Sequence, residues 1–371
     1  MIAEFLWVDV YIRSIEFSNF RNLTDAKLEF DHGTNVLHGN NGAGKTNLLE
    51  AIFTLCLSRS HRGARDQVLV KHGEEIYRVA GEIGERDGLH EVAVAYQKGG
   101  RKKITIDSIP ARASELYENN CVVSVGPEDT EILSGSPSVR RNFLNVYLSQ
   151  FSANYLSNLI DYQKALAHKN ASLKAGTESE PFNELLVKYG AQIIKARLSF
   201  IEKLGILAGD HYAEISPNGR LHLIYQPSVS IVNGQVDVEG LEQSFRASLA
   251  KHREREKDLR SALVGPHRDE LVFELGEFPA RTHGSQGEWR TAAITLKVAV
   301  YLLLKEKRKL QPVLLLDEIF AELDKGRAEA LMRSFSEFGQ LFVTTLEEQP
   351  KLLLKAGKCF SINQGKVQNI K

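Results

Sequence analysis

The sequence predicts an α/β fold interrupted by a mainly helical second lobe, and three stretches predict it. Residues 36–55, VLHGNNGAGKTNLLEAIFTL, run from an apolar strand through a glycine-rich loop into a helix. Residues 312–318, PVLLLDE, are an apolar run ending in two carboxylates. Between these stretches, residues 137–260 are mainly helical in pattern. A strand buried on both faces of a parallel sheet reads as a continuous apolar run, and open α/β sheets place ligands at the carboxyl ends of such strands.

The chain has 371 residues, 43% hydrophobic and 25% charged, an ordinary globular composition that predicts one large or two modest domains. Lys and Arg number 47 and so do Asp and Glu, so bulk charge does not advertise nucleic acid. Any such binding needs a local patch or a surface assembled by two subunits. Cys56, Cys121 and Cys359 form no C-x-x-C, which points to a reducing cytosol and no structural zinc. The opening MIAEFLWVDVYIRSIEF lacks a basic leader and a cleavage site, and reads as a first strand. The greasiest later run, 292–304, is interrupted by Lys297 and is shorter than the roughly 20 residues of a membrane span. A cytoplasmic protein is expected.

Taken in order, residues 15–22, IEFSNFRN, alternate and end in a polar cluster, either an exposed strand end or a placement of Arg21 near a nucleotide. Gly39, Asn40, Asn41, Gly42, Ala43, Gly44, Lys45 and Thr46 then fit G-x-x-x-x-G-K-[ST]. The glycines let backbone N–H groups turn onto a phosphate, and the following helix points its partial positive charge the same way. Lys45 is expected to reach the β- and γ-phosphates of ATP, and the Thr46 hydroxyl a Mg2+ ion. Leu48, Leu49, Ile52, Phe53 and Leu55 recur at helical spacing behind the loop. The basic loop SRSHRGAR at 58–65 offers Arg62 and Arg65 to the phosphates of ATP or DNA, with a solvated loop as the plain alternative.

Short alternating runs at 76–106 predict an antiparallel meander, with Arg101, Lys102 and Lys103 at one turn as ordinary surface or as DNA backbone contacts. The texture changes near residue 126. The expected division is an N-terminal part of the ATPase lobe at 1–126, a helical lobe at 127–260, and the C-terminal part of the ATPase lobe at 261–371. No heptad run or internal repeat appears, so no long coiled coil is expected. In the last part, Asp317 is expected to hold Mg2+ and Glu318 to orient and deprotonate the attacking water. Ser285, Gln286 and Gly287 lie at a helix start and form a second phosphate cradle. One site needs one cradle, so the second is expected to serve the nucleotide of another subunit.

Together with Ala321-Glu322-Leu323-Asp324 and Val343-Thr344-Thr345, these motifs resemble the ATPase head of the ABC and SMC class. Their dialect resembles the RecF recombination-mediator family: NFRN, GAGKTNLLEAI, SHR, GSPSVRRNFLN at 135–145, GPHRDEL at 265–271, and LLLDEIFAELD. The resemblance implies a cytoplasmic protein that binds ATP, Mg2+ and double-stranded DNA near single-strand gaps. It also implies a homodimer when ATP is bound, weak DNA-stimulated hydrolysis, and work with RecR and RecO in loading the RecA recombinase. By the same resemblance, Lys45 and Thr46 are Walker A with Asn47 beside them, and Asp317 and Glu318 are Walker B. Ser285 to Glu288 act in trans, Asp324 lies on the loop that crosses the dimer interface, and Thr344 or Thr345 takes the switch position. Family members often carry aspartate where Asn145 stands and Asp-Asp at Walker B, and the glutamine position near residue 126 is met here by Glu128 or Asp129. The alternative function is a nucleotide-bound scaffold that holds protein partners without hydrolysis. A transporter ATPase is disfavoured by the large helical insert and by Ser285 standing directly before Gln286.

Overall fold

The apolar runs read as buried strands lie side by side. The computed structural model describes residues 8–85, 88–177, 179–216, 219–231, 234–319, 338–346 and 357–370. The chain divides into two compact units, one from Met1–Asp129 and Val300–Lys371, the other from Thr130–Ala299.

In the first unit, six described strands follow the order Lys366–Asn369, Lys358–Asn363, Thr34–His38, Leu341–Thr345, Val313–Leu316, Val122–Val125. All neighbours are parallel except the first pair. Val313–Leu316 and Val122–Val125 are buried at every position, as continuous apolar runs require. Register sets Val343 opposite both Leu316 and Val36. The chain therefore leaves the sheet toward Gly39 and toward Asp317 at the same edge.

A second six-stranded sheet is antiparallel, running Ala26–Glu29, Tyr11–Ser18, Ile76–Glu85, Gly88–Gln97, Lys103–Ile106, Ile109–Pro110 among the described residues. It contains the meander expected at 76–106. The helix Lys45–Leu57 touches strands of both sheets, and Leu48, Leu49, Ile52, Phe53, Leu55 and Leu57 are each at most 1% exposed. Removing one such leucine side chain costs about 2–5 kcal/mol. The buried Gln340 amide bridges separate segments, accepting from Ile12 N at 2.7 Å and donating to the carbonyls of Ile12 at 2.8 Å and Asp31 at 2.7 Å.

The second unit is mainly helical. Its long described helices are Pro137–Phe151, Ala153–Ala175, Asn183–Ile215 and Val238–Leu259. Pro137 presets the first helical φ, Ser152 caps the next helix by accepting from Tyr155 N, and Asp237 caps the last by accepting from Gly240 N at 2.7 Å. The 33-residue helix Asn183–Ile215 buries Leu186, Val187, Ile193, Ile194, Phe200 and Leu204 within the unit. Its role is that of a packed core helix, in keeping with the missing heptad pattern.

The helical reading of 137–260 misses one strand. Leu221–Gln226 pairs antiparallel with Glu270–Leu275, which pairs with Phe278–Pro279. This pairing ties the segment after residue 260 to the helical lobe. The second unit accordingly extends to Ala299, beyond the 260 boundary that sequence texture suggested. Among the described residues no helix is long and apolar enough to cross a membrane.

Candidate functional site

The 39–44 loop connects the strand Thr34–His38 to the helix Lys45–Leu57. Glycine is required at its two ends for different reasons. A Cβ on Gly39 would lie 2.2 Å from the Ile362 carbonyl oxygen, while Gly44, the residue before the helix, has φ +116°. Asn40, Asn41 and Gly42 are exposed, and Ala43 is buried beneath them. Asn22 braces the loop, donating to the Gly42 carbonyl at 3.3 Å and accepting from the Asn47 amide at 2.7 Å.

Five side chains from three segments meet at this sheet edge. Lys45 Nζ is buried and donates to the carbonyls of Gly39 at 2.7 Å and Asn40 at 3.1 Å, and pairs with Glu318 Oε1 at 3.0 Å. The Thr46 hydroxyl donates to Asp317 Oδ2 and the Thr344 hydroxyl to Asp317 Oδ1, both at 2.7 Å. Thr344 Oγ1 also accepts from the Glu318 backbone N–H at 2.8 Å. Burial raises the Asp317 carboxyl above the usual carboxylate range, against the Thr46 and Thr344 hydroxyls, and the Glu318 charge pushes the same way. Glu318 sits at φ +49°, a left-handed conformation that costs a non-glycine residue about 1 kcal/mol or more. Hydroxyl and carboxylate oxygens at Thr46 and Asp317 are a donor set suited to Mg2+.

The remaining expected residues of this unit divide. Arg21 forms two hydrogen bonds to Glu50 of the loop helix, at 2.7 and 2.9 Å, and one to the Val68 carbonyl at 3.2 Å. Burial alone would raise the Glu50 carboxyl, but hydrogen bonds from Arg21 and Ser60 outweigh it and hold it low. The Arg21 guanidinium is thus tied to the loop helix through Glu50. Arg62 pairs with Glu128, with Nε to Oε1 at 2.8 Å. This bond raises the guanidinium pKa, and Glu50 and Asp317 add to it. Arg65, Arg101 and Lys103 are exposed. Lys102 departs from the expected basic patch, because its ammonium pairs with Asp66 Oδ1 at 2.8 Å and donates to the Ser58 carbonyl.

In the second unit, Ser285, Gln286, Gly287 and Glu288 are exposed where the helix Gln286–Arg308 begins. The Ser285 N–H and hydroxyl donate to Glu288 Oε2 at 2.9 and 2.7 Å, and the hydroxyl accepts from the Glu288 N–H at 3.3 Å, a reciprocal cap. These bonds lower the Glu288 pKa. Asp324 lies outside the described residues.

The RecF/RecN/SMC N terminal domain family matches residues 11–369. Two proteins called DNA replication and repair protein RecF, from Streptococcus gordonii and Staphylococcus carnosus, are 34% and 35% identical to the chain. Their alignments cover 97% and 96% of this chain and 100% and 99% of theirs. The chain belongs to the RecF family. A solved structure of the recombination mediator protein RecF with ATP, of the RecFOR pathway, is similar at TM-score 0.91 and 33% identity, over 98% of this chain and 99% of that one. The Smc head domain of Pyrococcus furiosus, at TM-score 0.54 and 17% identity, shares the fold.

Two blocks carrying the RecF dialect, 135–145 and 265–271, meet inside the second unit. The fully buried Arg197 donates to Asp269 at 3.1 Å, the Pro266 carbonyl at 2.7 Å, Asn145 Oδ1 at 3.0 Å and Tyr155 Oη at 3.2 Å. Asp269 also accepts from Ser228 N at 2.8 Å and from the Tyr225 hydroxyl. Because Asp269 meets the Arg197 charge, a neutral amide suffices at Asn145. Arg140 grips Glu270 through two bonds, at 2.6 and 2.8 Å. Burial lowers the His267 pKa to about 4. The neutral ring donates Nε2–H to the Ala262 carbonyl and accepts from the Tyr162 hydroxyl at 2.6 Å.

Proposed function

We propose that the chain is an ATP-gated DNA-binding protein of replication and recombinational repair, an ABC/SMC-type ATPase that dimerises when Mg-ATP is bound and opens on hydrolysis. The observation that carries this reading is the convergence of Lys45, Thr46, Asp317, Glu318 and Thr344 at one sheet edge. The names of the full-length relatives and the ATP-bound state of the similar structure support it.

The 39–44 loop and the start of its helix present N–H groups to the phosphates. Lys45 exchanges the Gly39 and Asn40 carbonyls and Glu318 for the β- and γ-phosphates. Thr46 and Asp317 would hold Mg2+, which when bound would offset the negative charge of the phosphates. Glu318, released from Lys45, accepts a proton from the attacking water. Thr344 holds the Glu318 backbone, so the carboxylate keeps its position during the exchange. Ser285, Gln286 and Gly287 of a second copy close over the γ-phosphate in trans, and Asp324 lines the same interface. Hydrolysis removes that bridge and the dimer opens. Arg65, Arg101 and Lys103, with Arg62 once it exchanges Glu128 for phosphate, contact the backbone of double-stranded DNA near gaps, with RecR and RecO as protein partners upstream of RecA in the cytoplasm.

Phosphate release under steady-state conditions tests the reading. Lys45→Ala and Glu318→Gln each reduce turnover by about 10²-fold or more, and Glu318→Gln still binds ATP. Turnover unchanged in Lys45→Ala discards an ATPase at this site and brings the non-hydrolysing scaffold forward.

A further inference from the structure

Arg141 and Arg268 come from the two family blocks that the nucleotide site does not use. Arg141, on the helix Pro137–Phe151, is half-buried and donates to the Asp269 carbonyl at 3.1 Å. Arg268, in the 265–269 turn, is exposed and donates to the Ala262 carbonyl at 3.1 and 3.0 Å and to the Ser261 hydroxyl at 3.1 Å. Among the described residues neither forms an ion pair with a carboxylate, although Arg140 pairs with Glu270 and Arg197 with Asp269. Four arginines face two carboxylates, and positive charge is left over. Burial lowers the Arg141 pKa, and the charges of Arg197 and Arg268 add to that against Glu270 and Asp269.

We propose that Arg141 and Arg268 form a phosphate track by which the second unit grips the backbone of double-stranded DNA. It rests on the DNA-binding reading above and adds a contact in a different unit from Arg62 and Arg65. Guanidinium forks match phosphate oxygens. Arg141 uses only one terminal nitrogen within the protein, and Arg268 keeps its other terminal nitrogen for an anion. Asp269, fixed by Arg197, Tyr225 and Ser228, holds the turn in place, so little ordering cost remains on binding. An acidic protein is the other partner a guanidinium surface fits, and the test below separates the two.

The test uses the full chain with Mg-ATP and a fluorescent DNA duplex, read by anisotropy from about 50 to 300 mM salt. Arg268→Gln, at an exposed position, weakens binding and reduces the slope of log affinity against log salt by ~0.9. Arg141→Gln with Arg268→Gln reduces it by ~1.8 and weakens binding about 10-fold or more at moderate salt. The ATP-dependent dimer mass of Arg268→Gln stays at the wild-type value. Wild-type DNA binding with unchanged slopes in both variants overturns the track and leaves an acidic protein as its occupant. A wild-type chain that binds no duplex overturns the DNA-binding reading itself, and the track with it.

Discussion

Replacing Thr344 by valine keeps the side-chain shape and removes one hydroxyl. That hydroxyl is 1% exposed in its residue, donates to Asp317 Oδ1 at 2.7 Å and accepts from the Glu318 N–H at 2.8 Å. A hydrogen bond to a charged acceptor contributes about 1.5–3 kcal/mol, and a buried N–H left unpaired costs about 1–3 kcal/mol. Glu318 at φ +49° has a more relaxed conformation available once the tether is gone, which recovers part of the loss. The net destabilisation of the first unit is about 2–4 kcal/mol. Thr344→Ser restores both bonds and loses only a methyl group, about 1 kcal/mol. Urea unfolding of wild type, Thr344→Val and Thr344→Ser, followed by tryptophan fluorescence and by ATP turnover, separates the two roles. Turnover in Thr344→Val falls about 10-fold or more because Glu318 is no longer held, and serine rescues it. A valine variant within about 0.5 kcal/mol of wild type, a shift typical of an uninvolved surface site, refutes the tether.

Glu50→Gln destabilises the chain by about 3–5 kcal/mol because Arg21 loses its buried partner. Since the Glu50 carboxyl is held low, its contribution is present above the unfolded value near 4.5 and is lost as pH falls through the folded one, so the variant flattens the acid limb of the unfolding midpoint. Asp317 has the opposite sign: its raised carboxyl favours the folded state below the unfolded value of 3.8 and loses that advantage as pH rises through the folded value. Asp317→Asn therefore raises the thermal midpoint of the nucleotide-free chain at neutral pH, with a smaller gain at pH near 4, and abolishes Mg-dependent turnover. Lys102→Ala costs at most about 1 kcal/mol and leaves duplex affinity within about twofold, because its charge is engaged with Asp66.

The convergence of Lys45, Thr46, Asp317 and Glu318 at one sheet edge was legible because these residues lie in contiguous stretches. The loop at 39–46 and the run ending in Asp317 and Glu318 each state strand, ligand group and position together. What tertiary contact decides was not legible. Arg21 reads either as a strand end or as a neighbour of the nucleotide, and folding adds its pairing with Glu50 from within the apolar run LLEAIF. A carboxylate inside such a run needs a buried cation, and that was the available signal. Lys102 on a hairpin looked like free surface until folding brought Asp66 beside it. The strand Leu221–Gln226 has only six residues, and its alternation is overshadowed by helices on both sides. Arg197 gave no local sign, since an arginine in a long helix ordinarily faces water. Its burial depends on Asp269, 72 positions away.

Solution mass tests the ATP-gated clamp most directly. Light scattering of Glu318→Gln is measured with and without Mg-ATP, beside the same protein carrying Ser285→Arg. The first change lets ATP bind without being consumed, and the second blocks the exposed helix start expected to act in trans. The clamp requires a monomer that doubles in mass only with Mg-ATP and stays monomeric when Ser285 is replaced. A mass indifferent to ATP, or a dimer that survives Ser285→Arg, contradicts it.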